Sequence, residues 1–336
     1  MTLATHLILI RRPGVTLEHN MTELIKTELD TLQDGTFRVY ISHLTLDVSM
    51  IGWMRDGRSY VPNISLGETI RATAVGVVEE SRHEGFSNGE LVTGLFAVAT
   101  HFVSDGSGVV KLKANVASAE EWAGSLGLTT AFTSFVGMDF AAQDLSGKTV
   151  LVSGASGLVG GFAAQFARLR GGRVIGIAGG EEACRQARQD LGIDHCIDYK
   201  APQPIEEVLQ EVCSERIDVF YDNVGGQIYD AALGWMNTFG TVIMCGQTAE
   251  RGLQQPPAVL NIRTMIMERL NMRGFVVFDH PEVFSRAAAE IARGISTGQM
   301  RRPHLDICHD GGLAAFHEAY DTLLQDKQKG KHILKV

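Results

Sequence analysis

The chain is predicted to be an α/β protein of two parts, a β-rich, barrel-like domain and a doubly wound parallel sheet. Three observations predict it. Up to about residue 121, short apolar β-type runs follow one another with Gly, Asn and Asp between them, and long helical windows are few. From about residue 119 onward, strand-like and helix-like segments alternate. At the head of that alternation stands Val150-Leu151-Val152-Ser153-Gly154-Ala155-Ser156-Gly157-Leu158-Val159-Gly160-Gly161, an apolar run that turns through glycines directly into a helical pattern.

In the first part the β-type runs are 7–10, 36–46, 70–79, 91–99 and 109–112. Strands this short and closely spaced suit a compact barrel. A helical stretch then runs from residue 120 through 135. Strands are expected at 150–153, 174–178, 196–199, 219–223, 241–245 and 272–278, with helices near 162–169, 181–191, 205–212, 227–236 and 261–270. Such alternation with short links forces parallel pairing through right-handed crossovers, the Rossmann arrangement. A helix at 281–297 closes the sheet, and the tail returns to mixed texture with a helix at 313–325 and a strand at 332–336. The expected domains are therefore 1–122 with 298–336, and 123–297.

Composition narrows the function classes. The 336 residues carry a formal net charge of -9, and 45% are hydrophobic, as in a soluble globular protein. No basic stripe offers a nucleic-acid surface. The apolar run Leu7-Ile8-Leu9-Ile10 is too short for a signal segment or a membrane span, so the cytoplasm is the expected location. Five scattered cysteines without a C-x-x-C pair argue against a disulfide framework or a cysteine-rich zinc site, and the eleven histidines contain no H-x-x-x-H pair.

The glycine turn is the main chemical signal. Glycines permit the unusual φ/ψ values of such a turn and let the backbone approach a pyrophosphate, while the helix that follows directs free N–H groups at the anion. Gly154, Ser156, Gly157, Leu158, Val159 and Gly160 are the candidate phosphate contacts. The spacing Gly154-x-x-Gly157-x-x-Gly160 is not the strict G-x-G-x-x-G, so by itself it also fits an ordinary βα turn; its place after the first strand of the alternation favours the cradle. The second strand ends Gly176-Ile177-Ala178-Gly179-Gly180, without the acidic side chain that holds a ribose 2′-hydroxyl in NAD-selective folds. Room for a 2′-phosphate at Gly180, with Arg185 and Arg188 on the adjoining helix, favours NADPH and leaves NADH open.

Leu128-Thr129-Thr130-Ala131-Phe132, placed ahead of the run from Leu145 to Ser153, is similar to the zinc-independent medium-chain dehydrogenases/reductases. Within them the chain resembles the group of prostaglandin reductases, leukotriene B4 dehydrogenases and curcumin reductases. Tyr221-Asp222-Asn223-Val224-Gly225-Gly226 matches that group's Y-D-N-V-G-G, and Gly274-Phe275-Val276-Val277 its F-V-V segment. The resemblance implies a GroES-like β-rich domain, a Rossmann domain, a homodimer that pairs through an edge strand at 270–278, and metal-free, NADPH-dependent reduction of the carbon–carbon double bond of an enone or enal. It further implies that Tyr199 lies beside the phosphate, that Asn223 and Gly225 face the ribose or nicotinamide, that Cys245 and Gly246 bind the cofactor, that Phe275, Val276 and Val277 bond the carboxamide, and that Gln328 replaces the Asn of N-x-G-K.

The chain also departs from the group. Ala183 stands where the group has a Lys, behind Glu181 and Glu182. The run D-P-Y-M-R-G reads Asp47-Val48-Ser49-Met50-Ile51-Gly52, and an expected tyrosine is matched by Arg251. Tyr60 matches a tyrosine that some members place against the substrate carbonyl, and Arg251 offers a cation for an oxyanion. The zinc enzymes' G-H-E reads Leu66-Gly67-Glu68-Thr69-Ile70, without its histidine. A zinc-free alcohol dehydrogenase or quinone reductase uses the same hydride geometry, and loss of the group's tyrosines also fits a non-catalytic nucleotide-binding protein.

Overall fold

The computed structural model describes residues 3–14, 16–29, 31–250, 258–325 and 330–336. The chain divides into two compact units, one of Met1–Thr129, Pro281–Ala292 and His304–Val336, the other of Thr130–His280 and Arg293–Pro303.

In the first unit β1 (Leu3–Leu9) and β2 (Thr22–Glu28) form an antiparallel hairpin. Strands β3 (Phe37–Thr45), β4 (Arg71–Ser81), β5 (Leu91–Ala97) and β7 (Val110–Lys111) run in order through a larger sheet, and β6 (His101–Ser104) pairs with β3. Phe37, Val39, Ile41, Val75, Val92 and Phe96 fill its interior. At Gly76 a Cβ would lie 2.4 Å from the Tyr40 carbonyl oxygen, at the site of a register shift between β3 and β4. This is a GroES-like β-rich architecture. Sequence pattern does not reveal β2: its run Thr-Glu-Leu-Ile-Lys-Thr-Glu is mostly solvent-exposed and pairs only with β1, so it buries too little to show apolar alternation.

The second unit is a six-stranded parallel sheet of β8 (Thr149–Ser153), β9 (Arg173–Ala178), β10 (His195–Asp198), β11 (Ile217–Asp222), β12 (Met236–Met244) and β13 (Asn271–Gly274), in the order β10-β9-β8-β11-β12-β13. All five residues of β8 are buried, as expected of a strand covered on both faces. The helices are α1 (Met50–Met54) and α2 (Ala119–Ala123) in the first unit, then α3 (Thr133–Asp139), α4 (Leu158–Leu169), α5 (Glu181–Leu191), α6 (Ile205–Val212), α7 (Gly226–Gly234) and α8 (Thr264–Met267). Leu151, Ile175, Phe220, Leu233 and Val242 form one apolar core, each such side chain contributing about 1.5–3 kcal/mol by leaving water. Strand order reverses between β8 and β11, and at such a switch point the loops part and leave a crevice.

Several expected elements differ. β12 begins at Met236 rather than near 241, and the helices expected at 281–297 and 313–325 each open with a 3₁₀ turn. Three differences are larger. The expected helix at 120–135 is α2, a π-helical turn at Leu128–Phe132 and α3, separated at Gly124 and Gly127. Helix 261–270 reduces to a 3₁₀ turn, Asn261–Arg263, and the single turn of α8. The strand expected through residue 278 stops at Gly274, because its neighbour β12 ends opposite it at Met244; Val277–Asp279 is a 3₁₀ turn. Beyond the sheet come α9 (Phe284–Ser296), β14 (Ile307–His309), α10 (Phe316–Gln325) and β15 (His332–Lys335). β15 pairs antiparallel with β3 and parallel with β14, so the tail completes the first unit's sheet. Among the described residues no helix is long and apolar enough to cross a membrane.

Candidate active site

The turn after β8 is built by sterics. Gly154 has φ +62°, in the left-handed region, and its carbonyl accepts the Gly157 amide at 2.9 Å, while the Ala155 amide is held by the Ile177 carbonyl at 3.0 Å. Gly160, on the first turn of α4, lies directly over this loop: a Cβ there would come 2.3 Å from the Gly154 oxygen. No side chain caps α4, whose N-cap is Gly157, and the first amides of a helix have no carbonyl one turn behind them. Leu158, Val159 and Gly160 supply those amides, a donor set that suits an anion.

The helix behind the turn is pinned. The buried Ser134 hydroxyl lies 2.8 Å from the Val159 carbonyl oxygen and 3.0 Å from that of Thr130. The Gln165 amide donates to the Arg301 carbonyl at 3.0 Å and accepts the Arg301 N–H at 2.7 Å.

At the switch point the ends of β8 and β11 lie side by side, and their polar residues join. The Ser153 hydroxyl donates to Asp222 Oδ1 at 2.6 Å and accepts the Asn223 amide at 2.8 Å; Asn223 Nδ2 donates to the Ser153 carbonyl at 2.8 Å. Asn223 Cβ and the Val224 side chain also face the position a Gly154 Cβ would take, at 3.7 and 3.5 Å. Cys245 and Gly246 belong to the same cluster, both amides donating to the Asp222 carbonyl, at 2.8 and 3.1 Å. Beneath lies the buried Tyr221, whose hydroxyl donates to the Thr133 carbonyl at 3.2 Å. Gly137 makes room for that phenol and for the Phe275 ring, since a Cβ there would meet them at 2.6 and 2.8 Å. Burial, with the hydrogen bond to Tyr221 opposing and the Asp222 charge assisting, pushes the Cys245 thiol up to about 11. Phe275 also packs on Phe140 at 5.6 Å between ring centroids, so the segment 275–277 adjoins the switch point as irregular chain and a 3₁₀ turn.

The outer end of the crevice is more exposed. Gly180, with φ +99°, is the N-cap of α5, and its amide donates to Asp198 Oδ1 at 2.7 Å. The half-exposed Tyr199 ring lies against Gly179, 2.9 Å from where a Cβ would stand. Arg185 donates from Nε to Glu182 Oε2 at 2.8 Å and from NH1 to Gln189 at 2.6 Å, on the outer face of α5. Ala183, on the opposite face, is buried. Glu181 and Glu182 are both solvent-exposed, so the paired acids flank this end without filling it.

Known proteins share this build over the whole length. Residues 5–112 match the model described as the N-terminal domain of oxidoreductase, and residues 159–293 the model described as zinc-binding dehydrogenase. The chain is 30% identical over 336 residues to the NADPH-dependent curcumin reductase of Escherichia coli (strain K12), covering 98% of this chain and 96% of that protein. It belongs to the medium-chain dehydrogenases/reductases, in the group of prostaglandin and curcumin reductases. Prostaglandin reductase 1 of Rattus norvegicus is 31% identical over 324 residues, 93% of each chain. The crystal structure of CurA from Vibrio vulnificus in complex with NADPH superposes with a TM-score of 0.77 at 30% identity, covering 99% of both chains.

Tyr60 lies in the first unit, 52% exposed, edge-on to Trp53 at 6.3 Å between centroids. Arg251 and Gln328 lie outside the described residues. Among the described residues no group of three or more His, Cys, Asp or Glu side chains is placed to hold a metal ion. Ser153 and Asp222 carry the switch-point network yet stand out weakly in sequence. Their only signal is a polar residue closing an apolar strand run, Val-Leu-Val-Ser in one case and Val-Phe-Tyr-Asp in the other.

Proposed function

We propose that the chain is an NADPH-dependent reductase of the carbon–carbon double bond of α,β-unsaturated ketones or aldehydes. The observation that carries the reading is the turn at Gly154–Gly160, a cradle that a Cβ would fill, at the switch point of a parallel sheet. Those residues suit a dinucleotide: the α4 amides take the pyrophosphate, Gly180, Arg185 and Tyr199 border the 2′-phosphate, and Asn223, Cys245, Gly246 and the 275–277 backbone hold the ribose and nicotinamide. A dinucleotide held by these residues would supply a hydride to the substrate's β-carbon, with a proton going to its α-carbon. Tyr60 and Arg251 are the candidates to hold the carbonyl oxygen as negative charge develops on it. The β-rich domain is taken as 1–122 with 298–336 and the dinucleotide-binding domain as 123–297.

Two assignments accompany this reading. A homodimer pairs through β13, an edge strand of its sheet, beside the exposed Phe239, Leu260, Ile266 and Met267. Five cysteines, all free, fit a reducing cytoplasm.

Incubating the purified chain with NADPH and a panel of enones and enals tests the activity. Cofactor oxidation with a saturated carbonyl product supports it. An alcohol or hydroquinone product transfers the chain to the alcohol dehydrogenase or quinone reductase reading, and NADPH binding without turnover of any acceptor makes it a non-catalytic binding protein.

A further inference from the structure

Asp222, at the C-terminal end of β11, is fully buried, and donors converge on both of its oxygens. The Ser153 hydroxyl reaches Oδ1 at 2.6 Å and the Val224 amide reaches it at 3.1 Å; the Gly225 amide lies 3.2 Å from Oδ1 and 3.0 Å from Oδ2. Donors aimed at both oxygens are the arrangement that a carboxylate, an acceptor-only group, satisfies. Its charge is felt next door, where it adds to burial in holding the Cys245 thiol and the Tyr229 phenol above their usual ranges.

We infer that Asp222 is a positioning residue that also acts electrostatically, locking the ends of β8 and β11 through Ser153 and Gly225 and biasing the crevice toward the oxidised, cationic dinucleotide. The inference rests on the NADPH reading. A nicotinamide ring that gives up hydride gains one positive charge, and a fixed anion at the switch point attracts the cation but not the neutral reduced ring. The same carboxylate that orders the turn therefore favours hydride donation.

Calorimetric titration of the full chain with NADPH and NADP+, separately, tests both halves. In Asp222→Asn, NADP+ affinity falls several-fold further than NADPH affinity, because only the oxidised ring carries the charge that the carboxylate attracts. Ser153→Ala keeps the charge and loses the hydroxyl bridge, so both affinities fall by the same factor; a purely structural Asp222 would give that pattern in both variants. Should Asp222→Asn not fold, Asp222→Ser, which also removes the charge, is read by the same NADP+ to NADPH ratio. An unchanged NADP+ to NADPH ratio in Asp222→Asn overturns this inference alone, whereas no binding of either dinucleotide by the unaltered chain overturns the NADPH reading and this inference with it.

Discussion

The inner and outer ends of the crevice are built from different materials. At the inner end Ser153, Asp222 and Tyr221 are buried, Ser153 bonded to the Asp222 carboxylate and the Asn223 amide, and Tyr221 to the Thr133 carbonyl of α3. At the outer end Arg185 and Glu182 pair with each other on an exposed helical face, and Tyr199 is half in water. A change at the inner end disturbs the sheet itself; a change at the outer end alters only what solvent and a ligand meet. The proposed division is that the inner end fixes where a dinucleotide lies and the outer end selects which one.

The strongest way to break that division is Gly160→Ala. The added Cβ meets the Gly154 carbonyl at 2.3 Å, so the loop must move; a stability loss of about 1–3 kcal/mol in chemical denaturation and no NADPH binding detectable by calorimetry are expected. Wild-type affinity in that variant would separate the turn from the cofactor.

Alkaline pH acts next. The folded Cys245 thiol holds its proton above the 9.0 of an unperturbed thiol, up to about 11. Its share of stability is therefore complete below pH 9 and is lost as pH rises toward 11. Urea melts at rising pH should show midpoints falling across that window, and Cys245→Ser should flatten the fall. A midpoint unaffected by the substitution would place the alkaline transition elsewhere.

Asn223→Ala is expected to be milder. It removes the 2.8 Å bond to the Ser153 carbonyl, at a cost of about 1 kcal/mol, and raises KM for NADPH more than it lowers kcat. Equal changes in both would move Asn223 from holding the cofactor to assisting the reaction.

Arg185→Ala gives the smallest structural effect. Its pair with Glu182 is fully in solvent, where such pairs add little, so melting temperature stays unchanged while preference for NADPH over NADH drops several-fold. An unchanged preference would return Arg185 to the role of a solvated helix residue.

Much of the fold was legible because its signals are local. Residues 150–153 and 174–178 read as strands because they are short, mostly apolar runs that end at a glycine, and α5 at Glu181–Leu191 is visible as a helical window. β2 was not, since it is an exposed ribbon whose polar residues carry no face. β13 stops short of Phe275, Val276 and Val277 despite their β propensity, because strand length is set by a neighbour that ends at Met244. At the site, Gly154 and Gly160 announced themselves by spacing, but the paired roles of Ser153 and Asp222 did not.

By itself the sequence determined the alternation of strand and helix and the glycine turn, since both depend on contacts within about four residues and on which residues tolerate positive φ. The tertiary structure alone decided that Ser153 would meet Asp222, 69 positions away, and that Gln165 would clasp Arg301, 136 away. Those meetings depend on which strands become neighbours and in what register. No local pattern encodes that choice; the burial of whole strands makes it, and with it the buried carboxylate at the end of β11.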